Sequence, residues 1–463
     1  MSFVIVLGAL LLLMLAAYRG YSVILFAPLA ALLAVLLTDP SAVPSVFTGL
    51  FMERMVGFLK LYFPVFLLGS VFGKLIELSG FSQSITAAVI RLVGQQRAIL
   101  SIVLVCALLT YGGVSLFVVV FAAYPFAAEM FRRGNIPKRL IPGTIALGAF
   151  TFTMDALPGT PQIQNIIPTT FFGTNAWAAP ALGTIGGAIV LLSGLIYLDW
   201  RRRVALRNGE GYGTGHSNEP EPAPVTQLAH PLIAILPLLV VGVSNLLFTR
   251  LIPRAFEPVV ETQLAGLTQP LVTQLSSVTA IWAVLAALLA GIVTVLVFAF
   301  KPVIVKFAEG TKAAVSGALL ASMNTASEYG FGAVIAALPG FLFIKNALAA
   351  IPDPLVNEAI TVTTLAGITG SASGGLSIAL AAMAEQFMTA AQVAGISPEV
   401  LHRVAAMASG GMDTLPHNGA VITLLAVTGL THRQSYRDIF AITCIKTLSV
   451  FVVIAIYYLT GWV

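Results

Sequence analysis

Long apolar runs alternate with short polar connections from the first residues of the chain to the last. Each run approaches or exceeds the roughly 17–25 residues that a membrane-spanning helix needs. The pattern therefore predicts an all-α polytopic membrane protein. The clearest runs cover residues 3–17, 22–37, 176–197, 231–248, 278–300 and 439–458.

One polar segment, residues 201–229, is rich in Gly, Pro, Glu and Arg and has no apolar periodicity. Such a composition predicts a flexible linker. It separates a first transmembrane repeat, residues 1–200, from a second, residues 230–463.

The two halves carry the same landmarks in the same order, at offsets of 252 to 262 residues. Four matches in order make an internal repeat the simplest explanation. The matched pairs are Leu67-Leu68 with Leu319-Leu320, Gly112-Gly113 with Gly374-Gly375, Pro137 with Pro398, and the Met-Asp-x-Leu-Pro motifs at Met154 and Met412.

The distribution of Lys and Arg between the runs predicts the orientation. With the N-terminus outside, most basic loop residues are cytoplasmic, as the positive-inside rule requires. The residues left outside are Arg54, Arg250, Arg254, Lys345 and Arg403. The linker is then cytoplasmic and both termini are external. Because the first repeat begins outside and the second inside, we expect inverted-topology repeats.

Each half also contains an apolar segment that is too long to cross the membrane once and too short to cross it twice. Residues 98–131, with Gly112-Gly113 in the middle, would form a helix of about 51 Å across a hydrocarbon core of about 30 Å. Two short helices that meet at the glycines form a re-entrant hairpin instead, with the Ser115 hydroxyl at its tip. Residues 355–395 behave alike, with Thr369-Gly370-Ser371-Ala372-Ser373-Gly374-Gly375 at their centre and Ser377 just beyond. The alternative is a long tilted helix whose glycines serve packing.

The Met-Asp-x-Leu-Pro motifs predict a broken helix in each half. Pro158 and Pro416 each remove a backbone donor and clash with the preceding turn. Thr160 and Asn418 then stand at equivalent positions, and both are good N-cap residues. Two half-helix N-termini, each with about +0.5 charge, form an anion site if they face each other. Gly159 and His417 flank these positions. A pair of Pro kinks without a ligand is the alternative.

Three carboxyl groups are candidates for proton coupling. Asp155 and Asp413 sit in the two breaks, and each either carries a proton or stays charged as a cap or a partner of a base. Glu328 is the third candidate and lies in a polar island with Asn324 and Thr325, which alternatively is a helix-packing patch. His417 either binds substrate, titrates or is structural.

Composition and absent motifs exclude several classes of protein. The chain is 58% hydrophobic and 9% charged, whereas soluble domains have about 25% charged residues. Its net charge of +5 is spread between the apolar runs, so no nucleic-acid partner is expected. Cys106 and Cys444 lie in apolar segments, which argues against disulfides. The sequence has no nucleotide-binding, metalloprotease or nucleophile-elbow motif and no metal-like histidine spacing. We therefore expect no metal, no cofactor and no enzymatic activity.

Residues 324–341 and 412–434 resemble the GntP family of gluconate:proton symporters, within the ion transporter superfamily. The resemblance extends over the whole chain in length and motif order. It implies inverted repeats, each with a hairpin and a broken helix, and a homodimer with a scaffold and a moving transport domain. It also implies a substrate near Ser115, Thr160, Ser377 and Asn418. Sodium-coupled relatives carry a Ser-Asn-Thr signature at the tips, whereas this chain has Gly-Gly-x-Ser tips, which favours protons.

Together these features predict a secondary active transporter, surrounded by lipid in a bacterial inner membrane. It would import a small hydroxylated monocarboxylate of the gluconate or 3-hydroxybutyrate type with protons. A sodium-coupled carboxylate symporter is the first alternative. A passive organic-anion channel would need a continuous polar or basic pore lining, and an intramembrane enzyme would need a nucleophile–base pair that the sequence does not show.

Overall fold

The computed structural model describes residues 2–19, 21–220, 228–349, 351–416 and 418–463. Helices dominate these ranges. Six of the described helices are long and apolar enough to cross a membrane by length and composition. The predicted class is confirmed: the chain is an all-α polytopic membrane protein. The six spans are Pro40–Leu78, Pro180–Arg207, Pro231–Ala255, Leu275–Val305, Ala372–Val393 and His432–Thr460.

The first half contains eleven α-helices within the described residues, joined by short 3₁₀ or π turns. They are α1 (Ser2–Tyr18), α2 (Val23–Thr38), α3 (Val43–Val46), α4 (Met52–Leu78), α5 (Phe81–Val93), α6 (Ala98–Tyr111), α7 (Leu116–Arg133), α8 (Ile141–Ala149), α9 (Phe152–Asp155), α10 (Ile163–Phe172) and α11 (Pro180–Arg207).

The second half adds a short exposed hairpin of antiparallel strands, in which Val259 pairs with Gln274. Its elements are α12 (Pro231–Ala255), β1 (Val259–Thr262), β2 (Leu271–Gln274), α13 (Leu275–Val305), α14 (Phe307–Ala337), α15 (Pro339–Ala349), α16 (Pro354–Thr369), α17 (Ala372–Val393), α18 (Pro398–Gly410), a 3₁₀ turn (Gly411–Thr414), α19 (Gly419–Thr428) and α20 (His432–Thr460).

The repeat predicted from the landmarks appears as matching elements in matching order. Helices α4 and α14 carry the first landmark, α6–α7 and α16–α17 form the hairpins, α8–α10 and α18–α19 are the broken helices, and α11 and α20 close the halves. Equivalent long helices pack on each other, α4 against α14 and α11 against α20. The interior therefore forms where the two halves meet.

Both predicted hairpins exist, but their turns differ. The first turn uses Gly112 and Gly113, and Gly113 has a φ of 96° that favours glycine. The second turn lies at Gly370 and Ser371, inside the predicted central run from Thr369 to Gly375 but before its glycine pair. Gly370 adopts the left-handed conformation that ends α16, and the Ser371 hydroxyl accepts from the Gly374 amide at 3.1 Å. Gly374 and Gly375 therefore belong to the first turn of α17.

The polar segment differs from the prediction at its start. Helix α11 continues to Arg207, so the linker does not begin at Arg201. Arg201 is held by an ion pair with Asp438 of α20, which supports the extra helical turns. The following residues, 208–220, are docked by hydrogen bonds and ion pairs to α7 and to the segment after α19. We call residues 208–220 the strap.

Candidate functional site

The first hairpin tip is fixed to the first broken helix. The Tyr111 hydroxyl at the end of α6 donates to the Pro158 carbonyl at 2.8 Å. In return, the Gln162 amide donates to the Thr110 carbonyl at 2.8 Å. A β-carbon at Gly113 would lie 3.1 Å from Pro161, so the tip and the break are in close contact.

The second tip and break are joined in the same way. The Ala372 amide donates to Asp413 Oδ1 at 3.1 Å, and Asn418 Nδ2 donates to the Gly370 carbonyl at 2.8 Å. Asn418 Oδ1 also accepts from the Ala420 amide at 2.7 Å, so Asn418 caps α19 as predicted. Each half therefore builds one tip–break unit. We call the turns at Gly112-Gly113 and Gly370-Ser371 tip one and tip two, and the interruptions at Pro158 and Pro416 break one and break two.

The predicted cap at Thr160 is wrong. The N-cap position of α10 is Gln162, whose side chain makes no capping bond to α10. Thr160 is fully buried and its hydroxyl donates to the Thr153 carbonyl at 2.8 Å. Pro161 intervenes and restricts Thr160 to extended geometry, which delays the helix start. Gly159 supplies the turn with a φ of 80° and lies against Trp177.

The two breaks lie next to each other. Gln164 of α10 donates to Asp413 Oδ2 at 2.8 Å, which joins break one to break two. Lys446 of α20 pairs with Asp155, and neither side chain is exposed. Gly410 makes room for this pair, because a β-carbon there would lie 1.7 Å from Asp155 Oδ2.

Arg403 and Lys446 are the site residues that sequence reasoning missed. Arg403 was placed outside the membrane, but it is fully buried in α18. Its guanidinium donates to the Asp155 carbonyl at 2.7 Å, the Ala178 carbonyl at 2.7 Å and Asn165 Oδ1 at 3.0 Å. The signal in both cases is a basic residue inside a largely apolar helical stretch, which is costly in a membrane unless it has a partner.

His402, beside Arg403, is also buried, and its ring lies 2.6 Å from the Thr174 hydroxyl and 3.2 Å from Asn165 Oδ1. Asn165 donates to the Thr160 and Ala176 carbonyls, both at 2.9 Å. This network satisfies backbone carbonyls that the broken helix leaves without helical partners. It is an internal scaffold for break one.

Glu328 occupies a different environment from the two aspartates. It is 2% exposed, and its Oε2 atom has no hydrogen-bond partner among the described residues. A β-carbon at Gly374 would lie 1.7 Å from that oxygen, so Glu328 rests against the start of α17. Thr325, one turn earlier on α14, has its hydroxyl 3.2 Å from the Ser373 hydroxyl. The polar island of α14 thus faces tip two.

The remaining predicted site residues differ in their burial and in the residues that they contact. Asn324 is half-buried on α14, and Ser115 is half-buried at the start of α7. Gly112 faces Leu238 of α12, and Gly375 packs against Ala366 within the hairpin. The buried Ser377 hydroxyl donates to the Ser373 carbonyl of its own helix at 2.7 Å. His417 lies outside the described residues.

The N-terminus of α19 is exposed at its first residue, Gly419. A β-carbon there would meet no atom of the described residues within 4 Å. The free amides and positive dipole of a helix N-terminus favour a negative group. The site therefore combines an open helix N-terminus, two hairpin tips, three buried carboxyl groups and two buried cations.

Three comparisons with known proteins extend these observations. No protein-family model matches the chain. The chain is 60% identical to the uncharacterized transporter YxjC of Bacillus subtilis over 472 aligned positions that cover 100% of both proteins. It also resembles the Alcanivorax borkumensis YdaH transporter, whose crystal structure shows an unusual topology. The TM-score is 0.52 and the sequence identity is 15%, and the match covers 92% of this chain and 90% of that one. The second likeness concerns the fold alone. The first, over full length, places this protein in the same transporter family as YxjC.

Proposed function

We propose that this protein is a secondary active transporter that imports a small hydroxylated monocarboxylate, of the gluconate or 3-hydroxybutyrate type, by proton symport. Membership in the same transporter family as YxjC supports transport as the general activity. The resemblance to GntP symporters of residues 324–341 and 412–434 supports the substrate class. The observation that carries the coupling is the buried Glu328 carboxyl oxygen without a hydrogen-bond partner among the described residues.

Of the three buried carboxyl groups at the tips and breaks, Glu328 is the best-suited proton carrier. Asp155 is compensated by Lys446, and Asp413 accepts hydrogen bonds from Ala372, Gln164 and Asn418. These partners favour the charged form of each aspartate and oppose the effect of burial. Glu328 has no ion-pair partner among the described residues, and its hydrogen bond with the Ser371 side chain leaves Oε2 unsatisfied, so a charge there is the least compensated of the three.

Charge balance explains how a proton and an anion travel together. The cations of Lys446 and Arg403 offset the charges of Asp155 and Asp413, which leaves the site near neutrality when Glu328 is protonated. A substrate carboxylate at the N-terminus of α19 would be repelled by an ionised Glu328 at the neighbouring tip. Protonation removes this repulsion, so substrate and proton bind cooperatively. One anion with one proton moves no net charge, and the pH gradient alone drives that cycle.

The proposal includes a setting in the membrane. The repeats are inverted, both termini are external, and the protein is a homodimer in a bacterial inner membrane. The excess of Lys and Arg in the loops assigned to the cytoplasm supports this orientation. The GntP resemblance supports the homodimer.

Purified protein in liposomes tests the function. With an alkaline lumen, labelled gluconate or 3-hydroxybutyrate should accumulate above its external concentration, and a sodium gradient alone should not drive this accumulation. Accumulation driven only by sodium would favour the sodium-coupled alternative. Flux that only equilibrates substrate would favour a channel. No uptake of any hydroxy acid under either gradient would refute the proposal.

A single variant tests the coupling role of Glu328. Glu328→Gln is a permanently neutral mimic of the protonated acid, so it should abolish accumulation while it preserves exchange of labelled for unlabelled substrate. Glu385→Gln, on the exposed face of α17, is the matched control and should behave as wild type. Normal pH-driven accumulation by Glu328→Gln would exclude Glu328 as the proton carrier.

A further inference from the structure

A cavity of about 500 Å³ lies where α4, α10 and α14 meet. Its polar lining consists of Glu53, Arg54, Tyr62, Thr170 and Tyr329, and the rest is apolar. We call this cavity the vestibule. Tyr329 follows Glu328 on α14, and Thr170 belongs to α10, the half-helix that leaves the first break. The vestibule therefore borders α10, which follows the first break, and α14, which carries Glu328.

The floor of the vestibule is closed by a hydrogen bond. The Tyr62 hydroxyl is bonded to the Thr170 hydroxyl and donates to the Ile167 carbonyl at 3.2 Å. Tyr62 is 2% exposed, and its ring packs against Phe58, which in turn packs against Tyr329. The Tyr62–Thr170 hydrogen bond and the aromatic cluster thus close the vestibule on the side of α10.

Arg54 is the one cation that lines the vestibule among the described residues. Its side chain is exposed there and hydrogen-bonds the Tyr329 side chain, but no described carboxylate lies within ion-pair distance of it. The interior cations, Lys446 and Arg403, are already engaged with partners. A guanidinium presents a planar pair of donors that matches a carboxylate, and a concave apolar wall strengthens its field. Glu53 lines the same cavity and opposes this attraction.

We propose that the vestibule is an access subsite in which Arg54 binds the carboxylate of the incoming substrate before the substrate reaches the breaks. The substrate class rests on the proposed function. Glu53 weakens the binding enough to permit release inward, and the Tyr62–Thr170 hydrogen bond is the floor that must open. Arg54 and Glu53 therefore act with opposite signs on the capture of an anion.

Thiol labelling tests the subsite without any need for transport. The target is a cysteine introduced by Leu61→Cys at the vestibule wall, in a Cys444→Ser background, since Cys444 is the exposed native thiol and Cys106 is buried. Labelling rates of an anionic and a cationic methanethiosulfonate are compared. Arg54→Gln should lower the anionic-to-cationic rate ratio several-fold, and Glu53→Gln should raise it. Gluconate should slow labelling only when Arg54 is present. Unchanged ratios and no protection by gluconate would overturn the proposal.

Transport kinetics give a second, separate test. Arg54→Gln should raise the KM for gluconate about two- to tenfold with unchanged Vmax, and added salt should shrink the difference. Arg54→Lys should retain part of the effect, and Glu53→Gln should lower KM. Arg254→Gln, exposed on α12 and outside the vestibule, is the control. Equal KM values while wild type accumulates substrate would refute the subsite alone. Absence of accumulation by wild type would refute the proposed function, and the labelling would still decide the subsite.

Discussion

Asp155 and Lys446 form an ion pair in which neither side chain is exposed. Each charge has lost its hydration, and its partner is the main compensation for that loss. Residues 155 and 446 belong to different halves of the chain, so the pair joins the first break to α20 of the second half. Removing one partner leaves an uncompensated charge in the interior.

Asp155→Asn should therefore destabilise the protein by about 3–5 kcal/mol and lower its thermal midpoint in detergent by several degrees. Asp155→Asn combined with Lys446→Met removes both charges and should recover most of the loss. Asp199→Asn, which affects a partly exposed pair at the end of α11, should change stability by about 0.5 kcal/mol or less. A double variant as unstable as the single one would show that the charge pair is not the cause.

Gly374→Ala tests the close contact between α17 and Glu328. The added methyl would lie 1.7 Å from Glu328 Oε2, so the carboxyl group must move away from the tip. Because displacements of about 1 Å at a site have large kinetic effects, uptake should fall at least about tenfold. Gly317→Ala on α14 meets nothing within 4 Å and is the matched control for uptake rate. Equal uptake by both variants would contradict the described position of Glu328.

At the scale of elements, the strap connects parts of both halves. Glu219 pairs with Lys138 at 2.8 Å, and Asn218 donates to the Ala426 carbonyl of α19 at 2.9 Å. Glu210 pairs with Arg139 at 2.6 Å. These contacts hold the strap across hairpin one and the second broken helix. Movement of either element relative to the other must stretch or release it.

Acidification should release the strap. The Arg139 guanidinium lowers the pKa of Glu210; burial raises the pKa of Glu219, but hydrogen bonds from Lys138, Arg132 and Tyr212 outweigh it and leave that pKa below its ordinary value. Lowered pKa values mean that the stabilisation is present above about pH 4.5 and is lost as the pH falls through the folded-state values. Hydrogen exchange, corrected for intrinsic rates, should show protection of the strap near pH 7 and its loss near pH 3. Glu219→Gln should lower protection already at neutral pH. Equal protection at both pH values would contradict this role of the ion pairs.

The sequence predicts an element well where the signal is local, and poorly where the element depends on partners far away in the chain. The two hairpins and the two breaks arise from local signals, namely glycine pairs, prolines and segment length, and the structure contains all four. The Asn418 cap is also local and is confirmed. The second hairpin turn lies at Gly370, within the run from Thr369 to Gly375 that the sequence predicts, whereas Gly374 and Gly375 serve close packing. The docking of the strap depends on partners 71 to 212 residues away, so its composition alone predicted only a flexible linker.

At the scale of the whole molecule, two tip–break units face each other across the junction of the halves. The sequence predicts this arrangement from the repeated motifs. It does not predict Arg403 and Lys446 as the internal cations, because their partners are 248 and 291 residues away. The roles of Asp155 and Asp413 also change once these partners are known. The ion pair with Lys446 favours the alternative in which Asp155 stays charged as the partner of a base, and Glu328 is the group proposed to carry the proton.

The central claim is that the tips and breaks of both halves jointly bind an organic anion. A cryo-electron microscopy map of the protein with saturating gluconate or 3-hydroxybutyrate tests it most directly. The account predicts ligand density at the N-terminus of α19, beside Asn418 and Gly419 and within reach of tip two, with both helices interrupted at Pro158 and Pro416. Continuous helices at these prolines, or a transported acid bound away from both breaks, would contradict it.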